Sequence, residues 1–289
     1  MKNTIKVRGK GMNVKREMNV VDKNGTFFVV YQGKGYYYKN SKLVTFTVPE
    51  NIKNGLYEKR LFTELGEFEL IQEIDDGYIP DKQLEFMSDE FVKWDIEKNK
   101  LKFVLSSVSE DEIRPAMNGI YFDSENVVVT DGHKMIYTEN KNVNRNCIAS
   151  CLGCKRLWTQ AKEIHIGLKC TKLVFADCVF YVEHIDGQFP NYKRVIPEFS
   201  DNYTVTLPAK KELEYFLKKA KIVNSRDPEL KYKLVNKNNE SEFVYFNVEY
   251  LLDIEKFGID TLHGQDNLKP YTGEAEGMNI VIMPMVGVK

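Results

Sequence analysis

The stretch that decides the fold is VVVTDGHKMIYTE, residues 127–139. Two runs of apolar and polar residues flank Asp131-Gly132, and this pair readily supplies the positive φ angles that a tight hairpin turn needs. The stretch therefore predicts two antiparallel strands joined by a turn. Most hairpin tips are purely structural, whereas His133 and Lys134 follow this turn directly. A function for the turn has to account for these two side chains.

Length and composition bound the class of protein. The chain has 289 residues, enough for two or three domains with a sizeable core. Its content of 43% hydrophobic and 29% charged residues is that of a soluble globular protein. No apolar run approaches the roughly eighteen residues that span a membrane. The N-terminus, MKNTIKVRGKGMNVKREM, has no apolar signal-peptide core, so we expect a reducing, cytoplasmic location.

The charge of the chain is distributed unevenly. The net charge is -1, yet residues 1–42 contain ten Lys or Arg and only two acidic residues. A polyanionic partner would explain such a basic segment. Solvated strands with lysines along their edges would explain it equally well. The sequence leaves both interpretations open.

The odd number of cysteines, five, and an N-terminus without a signal-peptide pattern argue against a disulfide framework. Cys147, Cys151 and Cys154 have C-x3-C-x2-C spacing, similar to the cluster motif of radical-SAM enzymes, although Gly153 stands where that family usually has an aromatic residue. A zinc site would need a fourth ligand, which His165 or Cys170 could supply. The alternative is a helix that begins near Ala149 and buries the thiols with Leu152 and Leu157.

The pattern of elements is mixed, without regular alternation of strand and helix, and it favours the α+β class. Residues 1–48 are rich in aromatic and β-branched residues typical of strands. A short helix is predicted after Pro49, and the chain closes on a strand, MNIVIMPM (278–285). The longer helices are predicted at 88–105 with Ser88 as N-cap, at 149–162, at 209–224 and around 246–258.

The chain also repeats itself. VTFTVP (44–49) recurs as YTVTLP (203–208), and EIDDGYIPD (73–81) recurs as EHIDGQFPN (183–191). Such matches indicate duplicated domains with boundaries near residues 79 and 197. We therefore expect an N-terminal domain over 1–79, a central domain over 80–197 and a C-terminal domain over 198–289.

Five short motifs carry a resemblance to a known family. In chain order they are RPAMNGIYFD (114–123), VVTDGHKMIY (128–137), HIDGQFPNYKRVIP (184–197), FNVEYLLDI (246–254) and IVIMPM (280–285). This order resembles that of the bacterial DNA polymerase III beta subunit, the sliding clamp. The resemblance extends from about residue 80 to the C-terminus and is poor before residue 44.

The resemblance implies a DNA-clamp fold, with repeated α+β domains, helices lining a central hole and sheets outside. It implies a head-to-tail homodimer that encircles double-stranded DNA without reading its sequence, tethers a DNA polymerase and is placed by a clamp loader. Such a processivity factor is not an enzyme and needs no cofactor. The chain is shorter than ordinary bacterial clamps, as a phage or mobile-element clamp would be. We expect the first domain to lack an opening helix and the third to lack strands between Asn236 and Phe246.

In sliding clamps the hairpin of the TDGH type forms one wall of a pocket for short partner peptides. Carried over residue by residue, the pocket of this chain comprises Met117, Thr130, Gly132, His133, Lys134, Met135, Pro190, Arg194, Val195, Val281, Ile282, Met283, Pro284 and Met285. Methionines suit a groove that accepts several sequences. His133, Lys134 and Arg194 could fix the peptide backbone or an acidic residue at the rim.

A ring around DNA also needs cations that contact phosphates. The predicted helices supply Lys93, Lys100, Lys155, Arg156, Lys211, Lys218 and Lys219. The last predicted helix departs from this pattern, because Glu249, Asp253 and Glu255 would repel phosphate.

Two other functions remain open at this stage. A clamp-fold adaptor would bind partner peptides without closing on DNA. An enzyme would use the cysteine cluster as a metal site. The four histidines, His133, His165, His184 and His263, are scattered and form no convincing catalytic constellation.

Overall fold

The computed structural model describes residues 4–6, 27–39, 41–48, 54–59, 67–73, 85–176, 178–223 and 230–286. The predicted boundary near residue 79, most of the repeat at 73–81 and most of the basic segment 1–42 lie outside these ranges. No helix in the described ranges is both long and apolar enough to cross a membrane. The chain divides into two compact units, Met1–Asp95 with Ala149–Ile185 and Ile96–Ile148 with Asp186–Lys289. The three-domain division stays a prediction.

The first unit is built on one antiparallel sheet. In spatial order its strands are β1 (Thr4–Lys6), β6 (Glu67–Glu73), β5 (Gly55–Lys59), β2 (Phe27–Tyr31), β3 (Lys34–Lys39), β4 (Lys42–Thr47), β14 (Cys178–Glu183), β13 (Cys170–Val174), β12 (Glu163–Ile166) and β7 (Val92–Lys93). Strands far apart in sequence meet where Val44 pairs with Phe180. Both side chains are fully buried, so this junction is part of the core.

The strand prediction for the aromatic segment is confirmed, but the short helix after Pro49 is wrong over its second half. Gly55–Lys59 is a strand that pairs with β2 on one side and β6 on the other. Isolated short helices are marginally stable. Pairing on both edges of β5 therefore outweighs the weak local helix preference.

The second unit contains an eight-stranded sheet and a separate hairpin. The sheet order is β11 (Cys147–Ser150), β8 (Gly119–Phe122), β9 (Asn126–Thr130), β10 (Lys134–Glu139), β20 (Met278–Ile282), β19 (Tyr271–Ala275), β18 (Thr261–Gly264) and β15 (Tyr203–Thr206). The hairpin joins β16 (Lys231–Asn236) to β17 (Asn239–Asn247). The expectation that strands are missing between Asn236 and Phe246 is therefore wrong, because β17 occupies this segment.

The helices with described bounds are α1 (Lys98–Ser106), α2 (Lys155–Gln160), α3 (Lys210–Val223) and α4 (Val248–Phe257). The last two confirm the helices predicted at 209–224 and 246–258. Asn247 caps α4 by accepting a hydrogen bond from the backbone of Glu249 at 2.9 Å, and Gly258 ends it in the left-handed region at φ +99°. Together with the sheets, these helices confirm the α+β class.

Two predicted helices begin later than their sequence signals suggested. Ser88 is not an N-cap, since Val92–Lys93 is strand β7 and α1 begins only at Lys98. The backbone N–H of Trp94 donates to the carbonyl of Ile164. The Trp94 ring packs edge-on against that of Trp158, with 6.4 Å between the ring centroids. This pairing holds the chain extended.

The helix predicted at 149–162 is also shorter. Cys147–Ser150 is strand β11, and α2 begins at Lys155. Cys151 and Cys154 are buried as predicted and so is Leu157, but Leu152 is exposed. The small apolar residues before Cys151 pack in a strand instead of a first helical turn.

Candidate functional site

The turn between β9 and β10 is held by its own side chains. The Asp131 carboxylate accepts hydrogen bonds from the backbone N–H groups of His133 and Lys134, each at 2.9 Å. The Thr130 hydroxyl donates to the carbonyl of Lys134 at 2.9 Å and accepts from the N–H of Gly132 at 3.0 Å. Gly132 adopts φ +93°, as the Asp-Gly pair predicts. These bonds leave the His133 side chain exposed at the tip.

Lys134 does not line the surface, which corrects its assignment to the pocket rim. Its side chain is 1% exposed, and its ammonium forms an ion pair with the Asp253 carboxylate at 2.8 Å. The same ammonium lies 4.8 Å from the ring centroid of Tyr250 and 3.4 Å from the Ser106 hydroxyl. Strand alternation explains this placement, since β10 turns this position toward helices α1 and α4. Lys134 therefore supports the turn from beneath.

The C-terminal strand lies directly beside the turn. In the β10–β20 pair, Lys134 is opposite Ile282 and Met135 is opposite Val281. The register continues past the strand, because the N–H of Met283 donates to the carbonyl of His133 at 2.9 Å. The structure thus brings together two motifs that are about 150 residues apart in the sequence.

Gly132 also has neighbours that leave no room for a side chain. A Cβ atom at this position would lie 2.7 Å from the Arg114 guanidinium and 3.4 Å from the terminal methyl of Met117. Arg114 is held in turn by Asp111, whose carboxylate accepts from its Nε at 2.8 Å. Arg114 therefore adds a fixed, half-exposed cation beside the turn.

The predicted residues divide into a floor and a rim. Met117, Met135 and Val281 are at most 5% exposed, so in a pocket they could form only the floor. Ile282 is fully buried, and as the cross-strand partner of Lys134 it faces the helices beneath the sheet. Met283 is 40% exposed, and Pro284 and Met285 are half-buried. An apolar floor with adaptable methionines, with the His133 imidazole and the Arg114 guanidinium at its edge, suits a short peptide with apolar and acidic or amide groups.

The segment that contains Pro190, Arg194 and Val195 is anchored at the other end of β9. The Tyr192 hydroxyl donates to the Asp123 carboxylate at 2.7 Å and accepts from the Asn126 side chain at 3.1 Å. All three predicted residues of this segment are exposed, with Val195 at 48%. Of the two anchors, Asn126 lies four strand positions from Thr130, about 13 Å along the strand, and Asp123 precedes β9. The segment is thus in the same unit as the turn, and its contribution to the pocket stays a prediction.

The hydrogen bond between Tyr192 and Asp123 shifts the pKa of both groups. Burial, and then the hydrogen bond to Asp123, raise the pKa of Tyr192. Burial alone would raise the pKa of Asp123, but the hydrogen bonds donated by the backbone of Asn126 and by Tyr192 lower it overall. The bond is therefore that of a neutral phenol to a carboxylate, which is stronger than one between neutral groups.

Two residues near the turn were missed by sequence reasoning, although both lie in quoted motifs. Arg114 opens the RPAMNG motif, and Tyr250 lies in FNVEYLLDI. The Tyr250 ring lies beneath the turn, with its centroid 4.8 Å from the Lys134 ammonium. Burial and then the neighbouring Asp131 carboxylate raise the pKa of Tyr250 to about 12. Neither position has an unusual local pattern, so only their contacts with the turn identify them.

The predicted DNA-contacting cations have different surroundings. Lys93 is on strand β7 and not on a helix, within 3.5 Å of Asp95 and 3.6 Å of Glu163. Lys100 on α1 is half-buried and donates to the carbonyl of Glu276 at 2.8 Å. Lys155 and Arg156 begin α2, and Arg156 is exposed.

The cations of α3 are the most available. Lys211, Lys218 and Lys219 are exposed, and within the described part of the chain none of them forms an ion pair. Their neighbours Lys210 and Lys221 are within 3.7 Å of Glu214 and 2.8 Å of Glu249, respectively. Helix α3 therefore presents the clearest cationic face for phosphates, whereas Lys93 and Lys100 have other partners.

The cysteines do not cluster: Cys151, Cys154 and Cys170 are buried, whereas Cys147 and Cys178 are partly exposed. Within the described residues, no three His, Cys, Asp or Glu side chains are close enough to hold a metal ion. The Cys154 thiol lies 3.6 Å from the carbonyl of Ser150, and burial raises its pKa to about 11. Burial also raises the pKa of Cys170, whose thiol lies 3.8 Å from the carbonyl of Phe86. These thiols pack as small apolar groups.

Comparison with solved structures decides the fold. A Caulobacter crescentus DNA polymerase III beta structure superposes with a TM-score of 0.65, covering 99% of this chain and 100% of that chain at 16% identity. The fold is that of the beta sliding clamp. A Bartonella birtlesii sliding clamp bound to griselimycin gives a TM-score of 0.63 with 91% of each chain covered and 19% identity. The DNA-clamp fold expected from the motifs is thus confirmed.

Curated relatives confirm the sequence resemblance to sliding clamps. The Beta sliding clamp of Buchnera aphidicola is 22% identical over 211 residues, which cover 65% of this chain and 57% of that protein. The Beta sliding clamp of Haemophilus influenzae is 25% identical over 205 residues, covering 56% and 55%. No family model matches the chain. The chain spans little more than half the length of these curated relatives.

Proposed function

We propose that this protein is a DNA sliding clamp, a non-enzymatic processivity factor that closes as a homodimer around duplex DNA and tethers a DNA polymerase by a short peptide. The observation that carries the proposal is the pairing of the TDGH turn with the VIMPM segment, sealed by the 2.9 Å bond from Met283 to His133. This pairing forms an apolar floor with a cationic edge on a clamp fold. A replication role implies a cytoplasmic location.

Contact with DNA is assigned to the cationic face of α3. Exposed lysines without carboxylate partners attract phosphates without reading sequence. The acidic residues of α4 should repel DNA phosphates less than the sequence suggests. Asp253 is neutralised by Lys134, and Glu249 by Lys221.

The deciding experiment measures how the protein leaves DNA. A closed ring is retained topologically, so we expect it to stay on a nicked circular duplex after loading and to slide off once the circle is linearised. Retention on the circle should survive salt that disrupts ordinary phosphate contacts. The measurement is the single-molecule lifetime on circular and linear DNA, with a clamp loader present.

Charge reversal at Lys211, Lys218 and Lys219 separates loading from retention. We expect fewer loading events and a nearly unchanged lifetime on the circle. Reversal at Lys93 and Lys100, which have carboxylate or carbonyl partners, is the matched control and should reduce loading less. Equal lifetimes on circular and linear DNA, in a preparation that loads, would refute the clamp and leave a clamp-fold adaptor that binds peptides without closing on DNA.

A further inference from the structure

The hairpin β16–β17 has one buried and one solvent-facing side. Cross-strand partners in an antiparallel pair share a face, and the register pairs Lys233 with Tyr245 and Val235 with Phe243. The alternate residues, among them Leu234 and Val244, are buried in the core of the unit. In contrast, Val235 is 46% and Phe243 is 39% exposed. The outer side of the hairpin is therefore apolar and open.

The C-terminal segment adds a third row to this side. The N–H of Met285 donates to the carbonyl of Tyr245 at 2.7 Å, and the two residues form an antiparallel pair. The Met285 side chain consequently lies on the same side as that of Tyr245. Lys231 ties the segment down by donating from its ammonium to the carbonyl of Val286 at 3.0 Å. Met285 is two residues from Met283, whose backbone bonds to the β9–β10 turn. The outer side of the hairpin is thus connected to the turn through this segment.

A cation stands at the edge of this apolar side. The Lys233 ammonium lies 4.0 Å from the ring centroid of Phe243 in a cation–π contact, and the residue is exposed. Phe243 and Tyr245 meet edge-on at 5.6 Å. The aromatic pair can pack against an apolar side chain of a bound peptide, and the accessible ammonium can pair with a carboxylate on the residue before or after it.

We propose that this hairpin face, defined by Lys233, Val235, Phe243, Tyr245 and Met285, extends the peptide site and binds residues that flank the docked motif of a partner peptide. The flanking residues are aromatic or aliphatic with an adjacent Asp or Glu. The inference rests on the proposed function, since it needs a peptide docked at the turn. Five residues are far too small an area to hold a folded partner alone, for which a stable interface buries on the order of 1,200 Å² or more.

Binding of three sets of synthetic peptides tests the proposal by fluorescence polarisation. The core probe is a short peptide with a Gln and a C-terminal Leu or Phe. Two extended probes add Trp-Asp-Asp before or after this core, and their controls add Ser-Ser-Ser. We expect one of the Trp-Asp-Asp probes to bind about tenfold more tightly than the core, a difference typical of one good aromatic anchor with a charge contact.

Two variants test whether the gain in affinity comes from the hairpin face. Lys233→Glu and Phe243→Ser should each remove most of it while leaving the affinity for the core probe within about twofold. Lys98→Glu and Leu168→Ser are matched controls, because both residues are exposed and lie in segments well separated from the hairpin in the sequence. Both control variants should retain the full gain. A salt titration should weaken the Trp-Asp-Asp probe more than the core.

The outcomes distinguish this inference from the proposed function. If the core probe binds and both Trp-Asp-Asp probes bind no better than their Ser controls, the hairpin face is refuted and the peptide site stands. If the gain persists in both hairpin variants, the extension binds elsewhere and the inference is also refuted. If the core probe itself does not bind, the proposed peptide site fails and takes the inference with it.

Discussion

The ammonium of Lys134 and the carboxylate of Asp253 meet at 2.8 Å beneath the β9–β10 turn, although 119 residues separate them in the sequence. The lysine side chain is 1% exposed and the aspartate side chain 34%. The pair connects the turn to helix α4. A buried charge is tolerated only when it is paired and hydrogen-bonded, so each partner constrains the position of the other.

The asymmetry of burial predicts unequal effects of removing each partner. Asp253→Asn leaves a fully buried ammonium without its counter-charge and should lower the free energy of unfolding by about 3 kcal/mol. Lys134→Met leaves a carboxylate that water can reach and should cost less, about 1–2 kcal/mol. Urea denaturation of both single variants and of the double variant measures the effects. Equal and negligible losses in the two single variants would contradict the role assigned to the pair.

Met283 is the pocket methionine at which peptide binding can be tested without unfolding the protein. Met283→Asp places a charge on the apolar rim and should weaken the core peptide at least tenfold, with thermal unfolding nearly unchanged because the residue is 40% exposed. Met135→Asp would instead unfold the protein, since Met135 is 3% exposed. Tyr215→Asp, on α3, is the control and should bind normally. A folded Met283→Asp variant with full affinity would refute the pocket.

Gly132 should tolerate no side chain without loss of binding. Gly132→Ala requires a strained φ of +93° and places Cβ 2.7 Å from the Arg114 guanidinium. Arg114 must then move, so we expect weaker peptide binding and a loss of about 1–2 kcal/mol of stability. Gly258→Ala is the matched control, with φ +99° and no atom within 4 Å of the added Cβ. It should lose similar stability and keep its peptide affinity; equal affinity losses would show that backbone strain alone is responsible.

A homodimer at micromolar concentration should depend on the end of α3. Ile222 and Val223 are 74% and 80% exposed on its last turn, an uncommon arrangement for two adjacent aliphatic residues. Ile222→Glu with Val223→Glu should therefore yield monomers in sedimentation equilibrium. Ile113→Glu is the control, since this residue is 89% exposed in a different part of the unit. A dimer that persists in the double variant would place the interface elsewhere.

Stability of the first unit should fall in mild acid because of His184. Burial lowers the pKa of His184 to about 4, against the partial compensation of the Asp89 carboxylate. In the unfolded chain His184 binds a proton below about pH 6.5, whereas in the folded chain it stays neutral until about pH 4. The free energy of unfolding is therefore highest above about pH 6.5 and declines toward pH 4. His184→Gln keeps a group that can hydrogen-bond to the Thr171 hydroxyl, which lies 3.1 Å from Nε2 of His184, and should flatten this decline. An unchanged pH profile in His184→Gln would contradict the assignment.

Local sequence was sufficient for elements whose signals are short-range. Asp131-Gly132 predicted its own turn, the pattern around 246–258 predicted α4, and the apolar face of α3 predicted a helix. In each case the determining contacts lie within a few residues along the chain. The motif order also predicted the clamp fold, because the matching residues lie in those same elements.

Tertiary pairing decided the rest. Gly55–Lys59 became a strand because two neighbours bond to its edges, and Val92–Lys93 became one because β12 does. The position of Lys134 after a turn predicted a residue at the pocket rim. Its side chain is instead buried against Asp253 and Tyr250. The sequence determined which residues surround the turn; burial, which depends on partners more than a hundred positions away, determined which of them a ligand can reach.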